Sequence, residues 1–449
     1  MAFNTLTTNA VDLQQWLKED KITSIQIVKA YFAQIDLHEP ALNALISAAP
    51  RDGVVAIAAA LDQERQQGKL RSPFHGIPII LKDSFVTASD LGIGNTAGSL
   101  AFRLIDAGLM ILGKANMTEF TGMKMTMMMP SWSAYSGQTL SPYVRKMEEN
   151  EKLLGHSAPG GLSTGSAVAV AAGFSPLAMA TEIIGSIVTP STCADTTGLY
   201  TMTEFFDSPG PMAKSAADVC AVAEILFYHT FSCPRLRSWQ GLSVGFLDLR
   251  VWNMAADFCM QFQGIAEQMV AEYEVTVSSL KSYGCPFKYL IDLKDVLTLL
   301  SILPIAYWDF KNVCIPEFIK AFDECPVRCV ADIVEFNREN SEKALPAHKL
   351  TPIFTEQNDL EAAMNSTDDK EHIQGLKQEL RAIAKHILDE MFEKEQINLI
   401  VAPGDAPLCV HAAAAGYPVA TVPVGQLRHN NRLFGLCLVG KADEEEMLL

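Results

Sequence analysis

The stretch from Pro159 to Pro190 restricts the possible folds of this chain more than any other part of the sequence. Turns rich in Gly and Ser lie at both of its ends and enclose an apolar segment, Ala167 to Ala180. Gly173 and Pro176 interrupt this segment, which is too short to cross a bilayer. Because the residues at its start are small and permit close packing, we expect a buried helix there rather than a membrane span.

Short apolar runs alternate with longer stretches of helical periodicity along the chain. Residues 77–81 are a short, largely apolar run followed by Lys82, a pattern that predicts a buried strand with a polar group at its end. Residues 397–402 and 419–424 are further predicted strands, and residues 370–394 have the pattern of a long helix. This mixture of elements permits one large α/β unit.

The N-terminal region predicts a helix that begins after Ser24 and closes at Pro40. Serine is a common helix cap, and proline disfavours continuation of a helix. The apolar residues that recur at helical spacing between them are Ile25, Val28, Phe32 and Ile35.

Composition and net charge limit which domain organisation and which classes of binding partner are expected. Hydrophobic residues make up 49% of the 449 residues and charged residues 19%, which predicts a sizeable core and excludes general disorder. We found no repeat or obvious linker, so we expect a single domain over residues 1–449, with a helical excursion at about 285–395. The formal net charge of −17 argues against long-range attraction to nucleic acid or anionic lipid.

The cysteines and the N-terminal segment favour a cytoplasmic protein. The first residues lack a basic segment followed by an uninterrupted apolar one, so a secretory signal is not expected. The 10 cysteines are scattered without C-x-x-C pairs, and H-E-x-x-H does not occur. We therefore expect reduced thiols rather than a metal site.

The first of two serine-containing turns, Gly161 to Gly165, matches the pattern G-x-S-x-G and contains Ser163. In an α/β-hydrolase this pattern follows a hydrophobic strand and opens a helix. A helix is predicted to follow here, but residues 155–160 have the composition of a loop. Asp405 and His411 follow in the order that such a triad needs, yet nothing local links them to the serine. The nucleophile-elbow interpretation is therefore disfavoured.

The second turn lies within residues 181–190 and contains Ser186. A serine at such a turn can hold its hydroxyl group beside several consecutive backbone N–H groups, and those donors could bind the negative charge on a carbonyl oxygen during attack. Taken alone, a turn of this kind more often carries a structural serine. The residues by themselves leave both interpretations open.

The chain resembles the amidase signature family in five segments that occur in the family's order and span nearly the whole sequence. They are Gly76 to Asp83, with the pattern G-x-P-x-x-x-K-D, Gly113 to Phe120, Pro159 to Pro190, Asp207 to Met212 and Ala415 to Pro418. The third segment is long and specific, and the general similarity is to fungal amidases. The resemblance implies the amidase-signature fold, which is α/β with a large mixed β-sheet core covered by helices on both faces.

The resemblance also implies a Ser–Ser–Lys triad that hydrolyses an amide through an acyl-enzyme. Ser186 occupies the position of the family's nucleophile, and Lys82 that of its general base. A lysine at a buried strand end loses solvation, so its pKa falls and the neutral amine can accept a proton from serine. Water then hydrolyses the acyl-enzyme, and no metal or organic cofactor is required. The family's oxyanion hole falls on the backbone N–H groups of Ile183, Ile184, Gly185 and Ser186.

Leu162 occupies the position of the family's bridging serine, the residue that relays a proton between the lysine and the nucleophile. Leucine has no hydroxyl group, so this relay cannot operate as it does in the family. Ser163, one residue later, or a water molecule is the candidate substitute, although an apolar side chain tends to exclude water. Ile184 is a second departure, because the family usually has a small or polar residue there and a β-branched residue fits poorly at positive φ.

The resemblance places the substrate pocket in the loop from Thr121 to Gly137 and in the variable region after Asp207. Thr121 is the candidate substrate-binding side chain. We expect a small-molecule amide as substrate, with no nucleic-acid or membrane partner, and a homodimer is left open. The alternatives to an active amidase are a catalytically impaired amidase-fold protein or binding protein and an amidotransferase-type subunit, for which the acidic charge argues weakly against direct tRNA binding.

Overall fold

The computed structural model of the chain describes residues 2–87, 99–125, 129–148, 151–152, 155–182, 201–231, 239, 241–252, 262, 264–293, 299–320, 322, 324–346 and 356–448. Their helices, α1 to α14 in chain order, are Ala10–Lys18, Ser24–Leu42, Arg51–Gln66, Ser99–Asp106, Thr164–Ala171, Ala216–Phe227, Ile265–Ser282, Leu299–Asp309, Ile315–Ile319, Val330–Glu339, Ser341–Ala344, Asn358–Asn365, Lys370–Glu395 and Leu408–Ala415. Their strands, β1 to β12, are Leu45–Ala48, Pro78–Lys82, Met110–Ala115, Trp132–Ser133, Gly137–Gln138, Leu177–Glu182, Ser208–Ala213, Val244–Leu247, Phe287–Ile291, Leu399–Pro403, Val419–Gln426 and Leu433–Gly440.

The first sheet has the strand order β1-β3-β2-β6-β7, with β2 at its centre. Strand β2 runs parallel to both neighbours, whereas the two outer strands are antiparallel. All residues of β2, β3 and β6 are buried, as expected for strands covered on both faces. Because β2 and β6 are parallel, Lys82 and Glu182 end their strands at the same edge of the sheet.

The second sheet has the strand order β11-β12-β10-β8-β9 and is also mixed. Helices α13 and α14 bury their apolar faces in a cluster with residues of β10 and β12. The predicted mixed α/β class is confirmed, and the strands described here form two five-stranded sheets beside the short β4–β5 pair.

The predicted helical excursion, residues 285–395, begins with a strand and continues with helices. Residues 287–291 belong to the second sheet as β9, and the helices α8 to α12 follow it over residues 299–365. Their apolar residues form a separate cluster that also contains Met123, from the loop after β3. The helical segment therefore packs against the loop in which the substrate pocket is predicted. The single-domain assignment stays a prediction.

Helix α2 differs at both ends from the prediction. Thr23 rather than Ser24 is the N-cap, because the Thr23 side chain accepts the N–H of Gln26 and the Gln26 side chain accepts the N–H of Thr23. Pro40 lies inside the last turn instead of closing the helix. A proline there removes a single backbone donor near the helix end, and Asn43 closes the helix with φ of 51°.

The prediction that all cysteines are reduced is wrong for Cys220, which is disulfide-bonded. The other cysteines that the structure describes are free: Cys285, Cys314, Cys325, Cys329, Cys409 and Cys437. Since disulfides persist mainly in oxidising compartments, the bond at Cys220 does not favour a cytoplasmic location, which stays a prediction. In the described part of the chain, no helix combines the length and the apolar character needed to cross a membrane.

Candidate active site

Lys82 is the last residue of the central strand β2, and its side chain is completely buried. The neighbouring strand β6 runs parallel to it, with Leu81 opposite Met179, so Thr181 lies at the same sheet edge. Lys82 Nζ donates a hydrogen bond of 2.5 Å to Thr181 Oγ1. The strand end predicted from sequence thus holds a buried amine against a buried hydroxyl group.

Burial lowers the pKa of Lys82 to about 7, because the charged ammonium loses its hydration. When ionised, the carboxylates of Asp207 and Glu182 act in the opposite direction and favour the protonated amine. The burial effect is the larger one. A substantial fraction of the lysine is therefore neutral near pH 7, whereas an exposed lysine would be almost fully protonated.

Asp207 is the second titratable group at this edge. It precedes Ser208, which pairs with Glu182 across β6 and β7. Its Oδ2 accepts hydrogen bonds from the backbone N–H groups of Met202 and Thr203, while its Oδ1 is shielded from solvent and has no hydrogen-bond partner in the part of the chain that the structure describes. Burial raises the pKa of Asp207 to about 8. Sequence reasoning identifies Asp207 only as the start of a motif and misses its effect on Lys82.

A buried polar network connects this edge to the helical segment. Thr203 Oγ1 donates to Asp309 Oδ2 at 2.6 Å, and Lys377 Nζ donates to Asp309 Oδ1 at 2.6 Å. Asp309 is completely buried at the end of α8, and Lys377 lies in α13. Because a buried carboxylate is costly without its partners, these bonds hold both helices against the segment that carries Asp207.

Ser163 lies immediately before α5 and is buried. Its Oγ donates a hydrogen bond of 2.9 Å to the backbone carbonyl of Thr181. Ser163 therefore contacts the main chain of Thr181, and Lys82 contacts the side chain of the same residue. The hydroxyl hydrogen of Ser163 is engaged by a carbonyl group in this arrangement.

The structure brings Leu162 and the predicted substrate loop together. The carbonyl of Leu162 accepts a hydrogen bond from the Thr118 N–H, and a methyl group placed on Gly122 would lie 3.3 Å from Leu162 Cδ2. Next to Gly122, Thr121 is buried and has a left-handed backbone with φ of 55°. Its Oγ1 is buried and has no hydrogen-bond partner in the described ranges. This unsatisfied hydroxyl group could bind a polar group of a ligand.

The other predicted site residues lie outside the described residues. They are Ile183, Ile184, Gly185 and Ser186, and their roles as oxyanion-hole donors and nucleophile stay predictions. The alternative based on G-x-S-x-G lacks its structural context. The described residues just before Ser163, 155–162, contain no strand, which the nucleophile elbow requires. His411, the candidate histidine of that triad, contacts the carbonyl of Pro407 through its Nδ1.

No group of three or more His, Cys, Asp or Glu side chains in the described residues could hold a metal ion. The titratable and hydroxyl side chains at the edge shared by β2, β6 and β7 offer acid–base chemistry. Its components are a partly neutral amine on Lys82, the hydroxyl group of Thr181 and the carboxyl group of Asp207.

Comparison with known proteins gives consistent results. Residues 26–230 match the family model described as Amidase. A Schizosaccharomyces pombe protein assigned as an amidase is 25% identical over 99% of this chain and 84% of its own length. One subunit of the glutamyl-tRNA(Gln) amidotransferase of Streptomyces coelicolor is 29% identical over 61% of this chain and 57% of its own length. The crystal structure of a peptide amidase from Stenotrophomonas maltophilia has a TM-score of 0.82 and 26% identity, and the match covers 100% of this chain and 96% of that one.

Proposed function

We propose that this chain, which matches the Amidase family model over residues 26–230, hydrolyses the C–N bond of a carboxamide or small amide through an acyl-enzyme on Ser186. The observation that carries the proposal is the completely buried amine of Lys82, hydrogen-bonded to a hydroxyl group beside the end of β6. Ser186 follows the last residue of β6 by four positions in the sequence, and Lys82 contacts Thr181 of that same strand.

The proposed reaction uses the neutral form of Lys82 as the general base. Removal of the Ser186 proton makes the serine oxygen nucleophilic, and it attacks the carbonyl carbon of the amide. The backbone N–H groups of residues 183–186 stabilise the negative charge that develops on the carbonyl oxygen. The protonated lysine then returns the proton to the leaving nitrogen, and water releases the acid in a second round of the same steps.

A catalytically impaired amidase-fold protein is the second candidate, and Leu162 is the observation that favours it. The residue is hydrophobic where the family relays a proton, and its side chain lies against Gly122 beside Thr121. The similarity to an amidotransferase covers less of the chain than the similarity to the fungal protein, so an amidotransferase role is the weaker alternative. We propose no nucleic-acid or membrane partner, and a homodimer stays a prediction.

Covalent labelling tests the identity of the nucleophile. We expect a fluorophosphonate probe to form one adduct, located at Ser186 by peptide mass spectrometry, because an activated serine attacks phosphorus as it attacks a carbonyl carbon. Ammonia release from a panel of primary carboxamides measures turnover in parallel. Ser186→Ala should remove both the adduct and the turnover.

Ser163 provides the matched comparison, since it is the serine of the competing turn. In Ser163→Ala the adduct should still form at Ser186. An adduct at Ser163 in the unmodified protein would refute the assignment of the nucleophile, and the absence of any serine adduct together with absence of turnover would refute the proposed activity.

The buried hydroxyl group of Thr121 is proposed to bind the substrate, because the described structure offers it no partner. Thr121→Val keeps the β-branched shape and removes the hydroxyl group. We expect the KM for the best carboxamide to rise by about 10-fold, with kcat much less affected, since a binding interaction common to ground state and transition state is lost. The melting temperature should stay unchanged or rise, as no protein hydrogen bond is broken. An unchanged KM would contradict this role.

A further inference from the structure

We infer that the hydroxyl group of Thr181 relays the proton between Lys82 and Ser186, in the place of the serine that this chain lacks at position 162. The inference rests on the proposed function and adds a catalytic residue to it. Lys82 Nζ and Thr181 Oγ1 are 2.5 Å apart, and both residues are buried. Leu162 carries no hydroxyl group, so the family's connection between the base and the nucleophile is missing at that position.

Lys82 differs from the other buried lysines of the described chain in the chemical group that accepts its hydrogen bond. Lys114 donates to the carbonyls of Asp83 and Phe85, while Lys124 and Lys377 donate to carbonyl or carboxylate oxygens. Such oxygens can only accept, so they cannot pass a proton on to another group. The partner of Lys82 is a hydroxyl group, which can accept from an ammonium group and donate to a neutral amine. This is the property that a proton relay needs.

Ser163 is less suited to the relay than Thr181. Its hydroxyl group donates to the backbone carbonyl of Thr181, 2.9 Å away, and would have to give up this bond before it could pass a proton. The same bond has a second consequence. The bond from Ser163, which lies just before α5, fixes the main chain of Thr181, and the bond from Lys82 fixes the Thr181 side chain. Together the two bonds hold the threonine hydroxyl group in place.

The proton transfer balances without any further group. As Ser186 attacks, its O–H bond breaks and an O–H bond forms on Thr181 Oγ1. At the same time the original O–H bond of Thr181 breaks, and an N–H bond forms on Lys82 Nζ. When the tetrahedral intermediate collapses, the same transfers run in reverse and deliver the proton to the leaving nitrogen. Thr181 is unchanged after each cycle.

Two substitutions at Thr181 separate the hydroxyl group from the rest of the side chain. Thr181→Val keeps the shape and removes the hydroxyl group, and we expect kcat to fall by about 100-fold or more. Thr181→Ser keeps the hydroxyl group and should retain activity within about 10-fold of the parent. Turnover is measured as ammonia release, and the rate of fluorophosphonate labelling at Ser186 gives a second reading. Thr139→Val is the control, because it removes a buried threonine hydroxyl group that donates to the Asn43 carbonyl at 2.6 Å. It should lower stability and leave kcat near the parent value.

A second-site rescue distinguishes a relay from a structural anchor. In Thr181→Val, the additional change Leu162→Ser supplies a hydroxyl group at the family's relay position, so kcat should recover by at least about 10-fold. A purely structural role for Thr181 predicts no such recovery. The inference alone fails if the parent is labelled at Ser186 and Thr181→Val is labelled at the same rate. If the parent shows neither labelling nor turnover, the inference falls together with the proposed function.

Discussion

Lys82→Met is expected to abolish amide hydrolysis, lowering kcat/KM by about 1000-fold or more. The amine is the proposed general base, and its burial brings the pKa of Lys82 to about 7, so the parent should gain activity with rising pH around pH 7. Methionine has a similar length and no basic group, and it leaves the Thr181 hydroxyl group without the amine. Ammonia release between pH 5 and 9 and the rate of labelling at Ser186 measure the effect.

The same substitution should stabilise the fold in a pH-dependent way. The pKa of Lys82 is about 7 in the folded protein and about 10.4 in the unfolded chain. Between these values the unfolded chain binds more protons, so the stability contribution of the lysine falls as the pH falls from 10 to 7 and is constant below. Lys82→Met removes this dependence, and its gain in melting temperature over the parent should be largest at or below pH 7.

Lys114→Met provides the matched control for Lys82→Met. Lys114 is also buried at a strand end of the first sheet, but its amine donates to the backbone carbonyls of Asp83 and Phe85. Its loss leaves those buried carbonyls unsatisfied, so stability should fall while the pH dependence of kcat/KM keeps its midpoint. Hydrolysis that survives Lys82→Met at a comparable rate would remove Lys82 from the mechanism.

The position of Lys82 could be predicted from sequence because local pattern determines it. Residues 77–81 are too short for a helix and lack polar residues, so they form a buried strand, and the lysine that follows ends at the sheet edge. The register of β2 against β6, in contrast, depends on contacts between residues about one hundred positions apart. The bond to Thr181 follows from this register, and no local pattern indicates it.

Two further features could not be predicted for the same reason. Asp207 affects Lys82 because the antiparallel pairing of β6 and β7 brings Ser208 opposite Glu182. The disulfide of Cys220 depends on the path of the chain in space, which cysteine spacing does not determine. The prediction at Pro40 is wrong for a different reason: a proline usually ends a helix, but the last turn of α2 tolerates the loss of one donor.

Leu162→Ser is expected to raise kcat by about 10-fold or more, the largest gain we predict for a single substitution. The new hydroxyl group stands where the family has its relay serine, and it offers the proton a second route beside Thr181. The change also replaces an apolar side chain that packs against the cluster of the second sheet. We therefore expect a loss of stability of about 1–3 kcal/mol, measured by urea unfolding.

Leu162→Ala separates the two effects of this substitution. It removes the same apolar contacts near Gly122 without adding a hydroxyl group, so its loss of stability should be similar and its kcat should not rise. A gain in Leu162→Ala equal to that in Leu162→Ser would mean that space beside Thr121, and not proton transfer, limits turnover. If the parent is active and neither variant gains activity, proton transfer through Thr181 is already faster than the rate-limiting step.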